Sequence, residues 1–396
     1  MSSVGLYDRG AKIILYIALR ESNFPIWCCV QHLDDVVNCG PASSMIVEEF
    51  YGTYRRICSE LGVSLAATTD PDKAFEPTTE GLVLGIMFCS KTWTWWLRED
   101  KLNRILWDIE GMKNKVDTDL HTFWSLMGKI MYVKELIPQG KYYISELMKL
   151  NYTSDVGSTI VPITIEVKEQ LTWWSYFLRL CFQTKESRMP IPSGYDRPPL
   201  WAKEGDSDAA GGSLTSAGHG LGIVVGSQWG YIPWPKLFNS STVAPCCGMK
   251  WRHKLSFLEL NGHMARVCGF PDNVRNSVVV TNIDNAGSCR MAEKGYYLKC
   301  ETTDTLLRAT YEVATALNAK AYVKKVTRVS TRAAIAVDAI SKADFATFWE
   351  VWPEHDQDPV KMPRAYLLWL QSPVKDNDLG SRIIQELRDN GVPMLN

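Results

Sequence analysis

Two groups of acidic residues are the side chains of this chain whose types and spacing suggest chemistry. The first is the adjacent pair Asp34-Asp35 in Gln31-His32-Leu33-Asp34-Asp35, set between two short runs rich in Val, Ile, Trp and Cys. Such runs read as two strands meeting at a tight turn, with the carboxylates at its tip. Neighbouring Asp side chains repel. Between apolar strands their charge is costly unless a cation cancels it. Mg²⁺ is the hard, oxygen-seeking ion such a pair would hold, with Mn²⁺ as an alternative. The plainer account is a solvated turn, for which Asp is a favoured residue.

The second group is spread over the C-terminal half. Asp206-Ser207-Asp208 opens a Gly-rich strand and hairpin that runs through Val225 to Trp234. Glu259 lies in Phe257-Leu258-Glu259-Leu260, which begins a helix reaching about Cys268, and the β-branched strand Val278 to Ile283 ends at Asp284-Asn285. Asp338 starts a helix after a strand around Ala321 to Val329. Carboxylates from a strand, a helix start, a strand end and a second helix start can converge on a pair of Mg²⁺ ions roughly 4 Å apart. Such a pair hydrolyses a phosphodiester, one ion activating water and the other stabilising the leaving oxygen. Each acid also has an ordinary role. Glu259 suits a first helical turn, Asp338 a helix cap and Asp284 a turn. Asp206 and Asp208 face the same side of a strand, so both remain open as the first acid.

Cations complete the candidates. Lys73 precedes an apolar strand, and Lys320, Lys324, Lys325, Arg328 and Arg332 follow one another without an intervening acid. A strip of this kind suits phosphate-backbone contact. It also suits a solvated edge strand, where Lys blocks aggregation. Globally, 43 Lys and Arg against 44 Asp and Glu leave a formal charge of −1, so nucleic-acid binding must come from such local patches. Eleven Cys without any CxxC, and with Cys246, Cys247, His253 and His263 at no standard zinc spacing, point to reduced thiols in a cytosolic or nuclear setting. No signal peptide opens the chain, and Ile13 to Leu19 is too short to span a bilayer, so a soluble protein without membrane contact is expected.

The elements that must position these groups are legible in outline. Residues 10 to 22 form a helix, and Ile46, Phe50, Tyr54, Ile57 and Leu61 mark an amphipathic helix stopped by Gly62. A strand from Gly81 to Phe88 and a Trp-rich strand from Trp93 to Leu97 follow, then helices to about Met112, Leu136 and residue 183. Pro190, Pro192, Pro198 and Pro199 mark a linker.

The apolar hairpin with His32-Leu33-Asp34-Asp35 at its tip resembles the palm hairpin of reverse transcriptases, whose motif is Tyr-x-Asp-Asp. Leu84-Gly85-Ile86, after Lys73, resembles the strand whose turn grips the primer. The order Asp208, Glu259, Asp284, Asp338 resembles the ribonuclease H domain that follows reverse transcriptase in gypsy-type or DIRS-type retrotransposon polyproteins, with Asp208 fitting the family's Asp-Ala pattern best. The resemblance implies an α+β and α/β multidomain chain. Residues 1–97 would be a partial palm, 98–150 a thumb, 151–200 a connection and linker, 201–345 a ribonuclease H-like mixed-sheet domain, and 346–396 a tail. It implies two-metal cleavage of RNA in RNA–DNA hybrids through Asp208, Glu259, Asp284 and Asp338. Lys73, Lys324, Lys325 and Arg328 would contact the nucleic acid, and Asp34 and Asp35 would hold the polymerase metal. His32 stands where the family has Tyr, and the earlier palm Asp and the fingers have no counterpart. Polymerisation is therefore expected to be absent or weak unless a partner chain supplies the missing parts. The other reading of the residues is a non-catalytic relic or domesticated module that binds nucleic acid or protein.

Overall fold

The computed structural model describes residues 3–25, 29–32, 35–41, 44–65, 77–134, 137–153, 160–182, 189–190, 201–211, 219–235, 238, 251–327 and 331–394. They fold as an α+β chain of two units, one of residues 1–107 and 175–193 and the other of 108–174 and 194–396. Among the described residues no helix is long and apolar enough to cross a membrane.

In the first unit, helix α1 (Ser3–Glu21) packs on α2 (Ile46–Glu60). Leu15, Ala18, Leu19 and Phe24 meet Phe50 and Ile57, and the Phe24 and Phe50 rings lie 4.7 Å apart. Gly62 ends this helical run in the left-handed region (φ 68°), the conformation glycine adopts without strain. Strands β1 (Cys29–His32) and β2 (Asp35–Asn38) pair antiparallel with His32 opposite Asp35. Cys29 and Val36 pack against the α1–α2 cluster. Residues 81–88 do not form the single strand expected. They fold as β3 (Glu80–Val83) and β4 (Ile86–Cys89), because Leu84 and Gly85 both take positive φ (50° and 81°) and reverse the chain in two residues. Strand β5 (Thr94–Leu97) and a two-residue strand, β8 (Met189–Pro190), extend this sheet in the order β3-β4-β5-β8. Helix α3 (Glu99–Lys113) follows β5 and carries the chain into the second unit.

The second unit includes β6 (Asp117–Asp119), α4 (Leu120–Lys134), a 3-10 turn at Pro138–Tyr142, α5 (Ser145–Thr153), β7 (Ile160–Pro162) and most of α6 (Ile165–Phe182). Its main sheet is built from β9 (Lys203–Ala209), β10 (Gly220–Val225), β11 (Gln228–Pro233), β12 (Val278–Ile283) and β13 (Lys320–Lys325), in the order β11-β10-β9-β12-β13. Strands β9, β10 and β11 are antiparallel neighbours, whereas β12 and β13 run parallel to β9. Parallel pairs need crossovers, and helices supply them. They are α7 (Trp251–Gly269), α8 (Pro271–Val274), α9 (Ala286–Lys294) and α10 (Glu301–Ala316), with α11 (Arg332–Ser341) and α12 (Phe345–Val351) after β13. Strand β13 is shorter than the run to Val329 expected.

The sheet has a helix layer on each face. Leu221, Ile223 and Val225 of β10 join Phe257, Leu260 and Met264 of α7 and Leu306 and Val313 of α10 in the larger core. The intervening Val224 packs instead with Ala336, Val337 and Ile340 of α11 and with Phe348. Helices α13 (Arg364–Gln371) and α14 (Leu379–Asp389) close the larger core with Tyr366, Leu370, Ile383 and Leu387, and the Tyr366 hydroxyl donates to Asn261 Oδ1 at 2.9 Å.

Residues 137–174 belong to the same body. The Trp174 indole is fully buried over Gly140, where a Cβ would lie 2.1 Å from the ring. Tyr143 stacks on Trp173 at 4.0 Å and donates to Glu312 Oε1 at 2.8 Å. Lys141 Nζ donates to the Ala292 and Glu293 carbonyls (3.2 and 3.1 Å), covering acceptors that the end of α9 leaves open.

Candidate functional site

Strand β9 carries the first acids and is central, so each neighbour fixes where its side chains go. Gly205, Ser207 and Ala209 are buried on one face. A Cβ on Gly205 would meet Arg266 Nε at 2.9 Å and one on Gly262 would meet Ser207 Oγ at 2.4 Å, which identifies that face with α7. Glu204, Asp206 and Asp208 take the opposite face. There Asp208 sits beside Gly222, and a Cβ on Gly222 would meet Val337 O at 2.5 Å and Ser341 N at 2.9 Å. The missing side chain lets α11 lie directly on the sheet.

Close approach of α11 ties Asp208 to the helix that carries Asp338. Ser341 Oγ donates to Asp208 Oδ2 at 2.6 Å and also lies 2.9 Å from the carbonyl of Asp338. Asp338 is not at a helix start as expected. Thr331 caps α11 by accepting from Ala334 N (3.1 Å), which sets Asp338 in the second turn. Its carboxylate accepts from Lys342 Nζ at 2.7 Å.

Asp206 belongs to a neighbouring network. Asn282, its register partner on β12, donates from Nδ2 to Asp206 Oδ1 (3.2 Å) and to Glu204 Oε2 (3.1 Å), while Lys324 pairs with Glu204 Oε1 at 3.0 Å. Burial raises the Asp206 pKa above its ordinary value, opposed by the Asn282 hydrogen bond. The Glu204 carboxyl is held below its ordinary value, first by Asn282 and then by Lys324.

Glu259 and Asp284 are carried by α7 and by the end of β12. Glu259 is in the middle of α7 rather than at its beginning, because the helix starts at Trp251, and it is 1% exposed. Asp284 ends β12 as expected, and the next residue fixes the turn. Asn285 Oδ1 accepts from Ser288 N and from Ser256 Oγ, both at 3.0 Å, so it caps α9 and ties that turn to the helix that carries Glu259.

Two cations of the strip are engaged within the protein. Lys324 is paired to Glu204, and Arg332 is paired to Glu354 and lies 4.8 Å over the Trp352 ring. Lys320 and Lys325 are exposed on the edge strand β13. Arg328, Lys73 and Asp34 lie outside the described residues, and of Asp35 only the backbone, at the start of β2, is described.

Among the described residues, no three or more His, Cys, Asp and Glu side chains form a group that could hold a metal ion. Asp208 is tied through Ser341 to the backbone of α11, the Asp338 carboxylate is paired with Lys342, Asp206 is engaged by Asn282, and Glu259 belongs to the helix on the opposite face of β9. Residues that sequence reasoning missed are Ser341, Asn282 and Glu204. Ser341, three residues after Asp338 on the predicted helix, was the one with a readable signal. No protein-family model and no curated protein matches the chain.

Proposed function

We propose that this chain is a retroelement-derived fragment of reverse transcriptase and ribonuclease H whose second unit recognises RNA–DNA hybrids. The observation that carries this reading is the order of the acid-bearing elements. Asp208 is on the central strand of a mixed sheet, Glu259 on the helix packed over it, Asp284 at the end of the parallel neighbour and Asp338 on the helix of the other face. That is the strand, helix, strand end and helix sequence that the resemblance implies. Exposed Lys320 and Lys325 on the edge strand offer contact to a phosphate backbone. In the first unit, the β1–β2 hairpin packed against α1 and α2 agrees with the second half of a palm, and nucleotide addition by this chain alone is not expected.

The first reading is hybrid recognition, supported by the exposed Lys320 and Lys325 of the edge strand. A second reading, hybrid cleavage with Mg²⁺ or Mn²⁺, is favoured by one contact, the Ser341 bridge between Asp208 and the helix that carries Asp338.

One experiment tests both. A labelled RNA–DNA hybrid is compared with duplex RNA and duplex DNA for binding and for cleavage, with either metal, using the wild-type chain and Asp284→Asn. Preferential hybrid binding without cleavage is the expected result. Cleavage lost in Asp284→Asn would establish the second reading, equal affinity for all three duplexes would sink hybrid recognition, and robust primer extension would overturn the partial palm.

A further inference from the structure

Helix α12 and the loop after it form a surface that the hybrid reading does not use. Phe348 is fully buried against Trp229, with ring centroids 5.1 Å apart, whereas Trp349 beside it is 52% exposed. Rings continue along this surface. Tyr231 meets the Phe345 ring edge-on at 5.3 Å, Phe345 lies 6.2 Å from Trp349, and Trp349 lies 6.4 Å from His355. The loop is pinned to the β10–β11 hairpin. Trp229 Nε1 donates to the Asp356 carbonyl (2.9 Å), Trp352 Nε1 to the Gly226 carbonyl (3.0 Å), and Asp356 N to Ser227 O (2.9 Å). These bonds fix the loop beside Trp349, whose own ring rests against Phe345 and His355.

Charge selects the occupant. Residues 343–360 contain five acids and no Lys or Arg; Glu354 pairs with Arg332 and Asp344 caps α12, which leaves Glu350, Asp356 and Asp358 for a partner. Such a field repels a phosphate backbone and attracts a cation. A guanidinium gains most, because it stacks on an indole face and pairs with a carboxylate at once. The chain already contains one example next to Trp349. Arg332 lies over the Trp352 ring at 4.8 Å, pairs with Glu354, and donates from Nε to the Val351 carbonyl at 2.6 Å.

We propose that the Trp349 surface is a docking site for an arginine-bearing basic segment of a partner protein, with a partner guanidinium lying on the exposed indole among the carboxylates. Arginine is favoured over lysine because the planar guanidinium satisfies the ring and an acid together. The proposed hybrid contact rests on Lys320 and Lys325 of β13, not on Trp349 or Glu350.

The test uses the full chain and fluorescein-labelled twelve-residue peptides of alternating Arg and Ser, of Lys and Ser, and of Glu and Ser, with a single-stranded oligonucleotide as a fourth probe. Fluorescence anisotropy should report binding of the Arg peptide, weaker binding of the Lys peptide and none of the Glu peptide, with affinity falling as salt rises. Trp349→Ala should weaken Arg-peptide binding by about tenfold, as truncation of an aromatic anchor does. Glu350→Lys should weaken it in the same direction while leaving the indole in place. Absence of Arg-peptide binding, binding that both variants leave unchanged, or oligonucleotide binding that Trp349→Ala abolishes would each overturn the proposal.

Discussion

Strand β9 sends alternate residues into two environments, and the contrast between them shows how one sheet handles charge. Beneath α7, Ser207 and Gly205 meet helix residues from which water is excluded. Burial pushes the His263 pKa down to about 3, with Lys141 and Arg266 adding to the effect, and pushes Arg266 down to about 10. His263 is left with a hydrogen bond to Thr281 Oγ1 at 2.9 Å, and Arg266 donates to Asn273 Oδ1 at 2.5 Å. Beneath α11, Asp206 and Asp208 are half-buried and engage Asn282 and Ser341. Burial keeps His263 neutral on the first face, and hydrogen bonds organise carboxylates on the second. The assignment depends on register, since a slip of one residue would exchange the two sets.

The comparison is broken most severely at Gly222, where the absence of a side chain lets α11 rest on the sheet. Gly222→Val should cost about 3 kcal/mol, the scale of an overpacked interior, measured by urea unfolding. An unchanged midpoint would mean that α11 does not depend on this contact.

A smaller effect comes from the α7 face. His263 takes its proton at about 3 when folded, against 6.5 for an unperturbed imidazole. As pH falls below 6.5 the unfolded chain therefore binds a proton that the folded chain does not, and stability present above that value is lost. Between pH 7 and pH 5 the wild type should lose about 2 kcal/mol more than His263→Asn. Parallel pH profiles for the two proteins would show that His263 is not held neutral by burial. The smallest effect is on the α11 face, where Ser341→Ala removes the donor to Asp208. It should cost about 1 kcal/mol and speed amide exchange in α11 while leaving α7 unchanged. Equal acceleration in both helices would argue against a local anchor.

Features set by local patterns were legible from residues alone. Val278 to Ile283 is β-branched and apolar and forms β12, with Asp284 at its end, and the spacing of Phe50 and Ile57 with Gly62 beyond marks α2. Features set by distant partners were not. Ala202-Lys203-Glu204-Gly205 is poor strand material, yet Lys203 to Ala209 is the central strand because β10 and β12 supply pairing from both sides. The starts of α7 and α11 were placed too late, because neither Glu259 nor Asp338 begins its helix. At the candidate site, the identity and order of the acids could be read, but their partners could not. Ser341 reaches Asp208 across 133 residues and Asn282 reaches Asp206 across 76.

Lys141, Tyr143 and Lys149 also meet partners late in the chain, and this bears on synthesis. Lys141 caps a helix end 152 residues downstream, and Tyr143 bonds to Glu312, 169 residues away. At ribosomal rates these segments wait roughly 10 to 30 s for their partners to emerge. During that wait Glu312 has not yet emerged to meet Tyr143, nor have the Ala292 and Glu293 carbonyls emerged to meet Lys141. A chain begun at residue 201 would avoid the wait, but it would leave the carbonyls at the end of α9 without Lys141 and Glu312 without Tyr143.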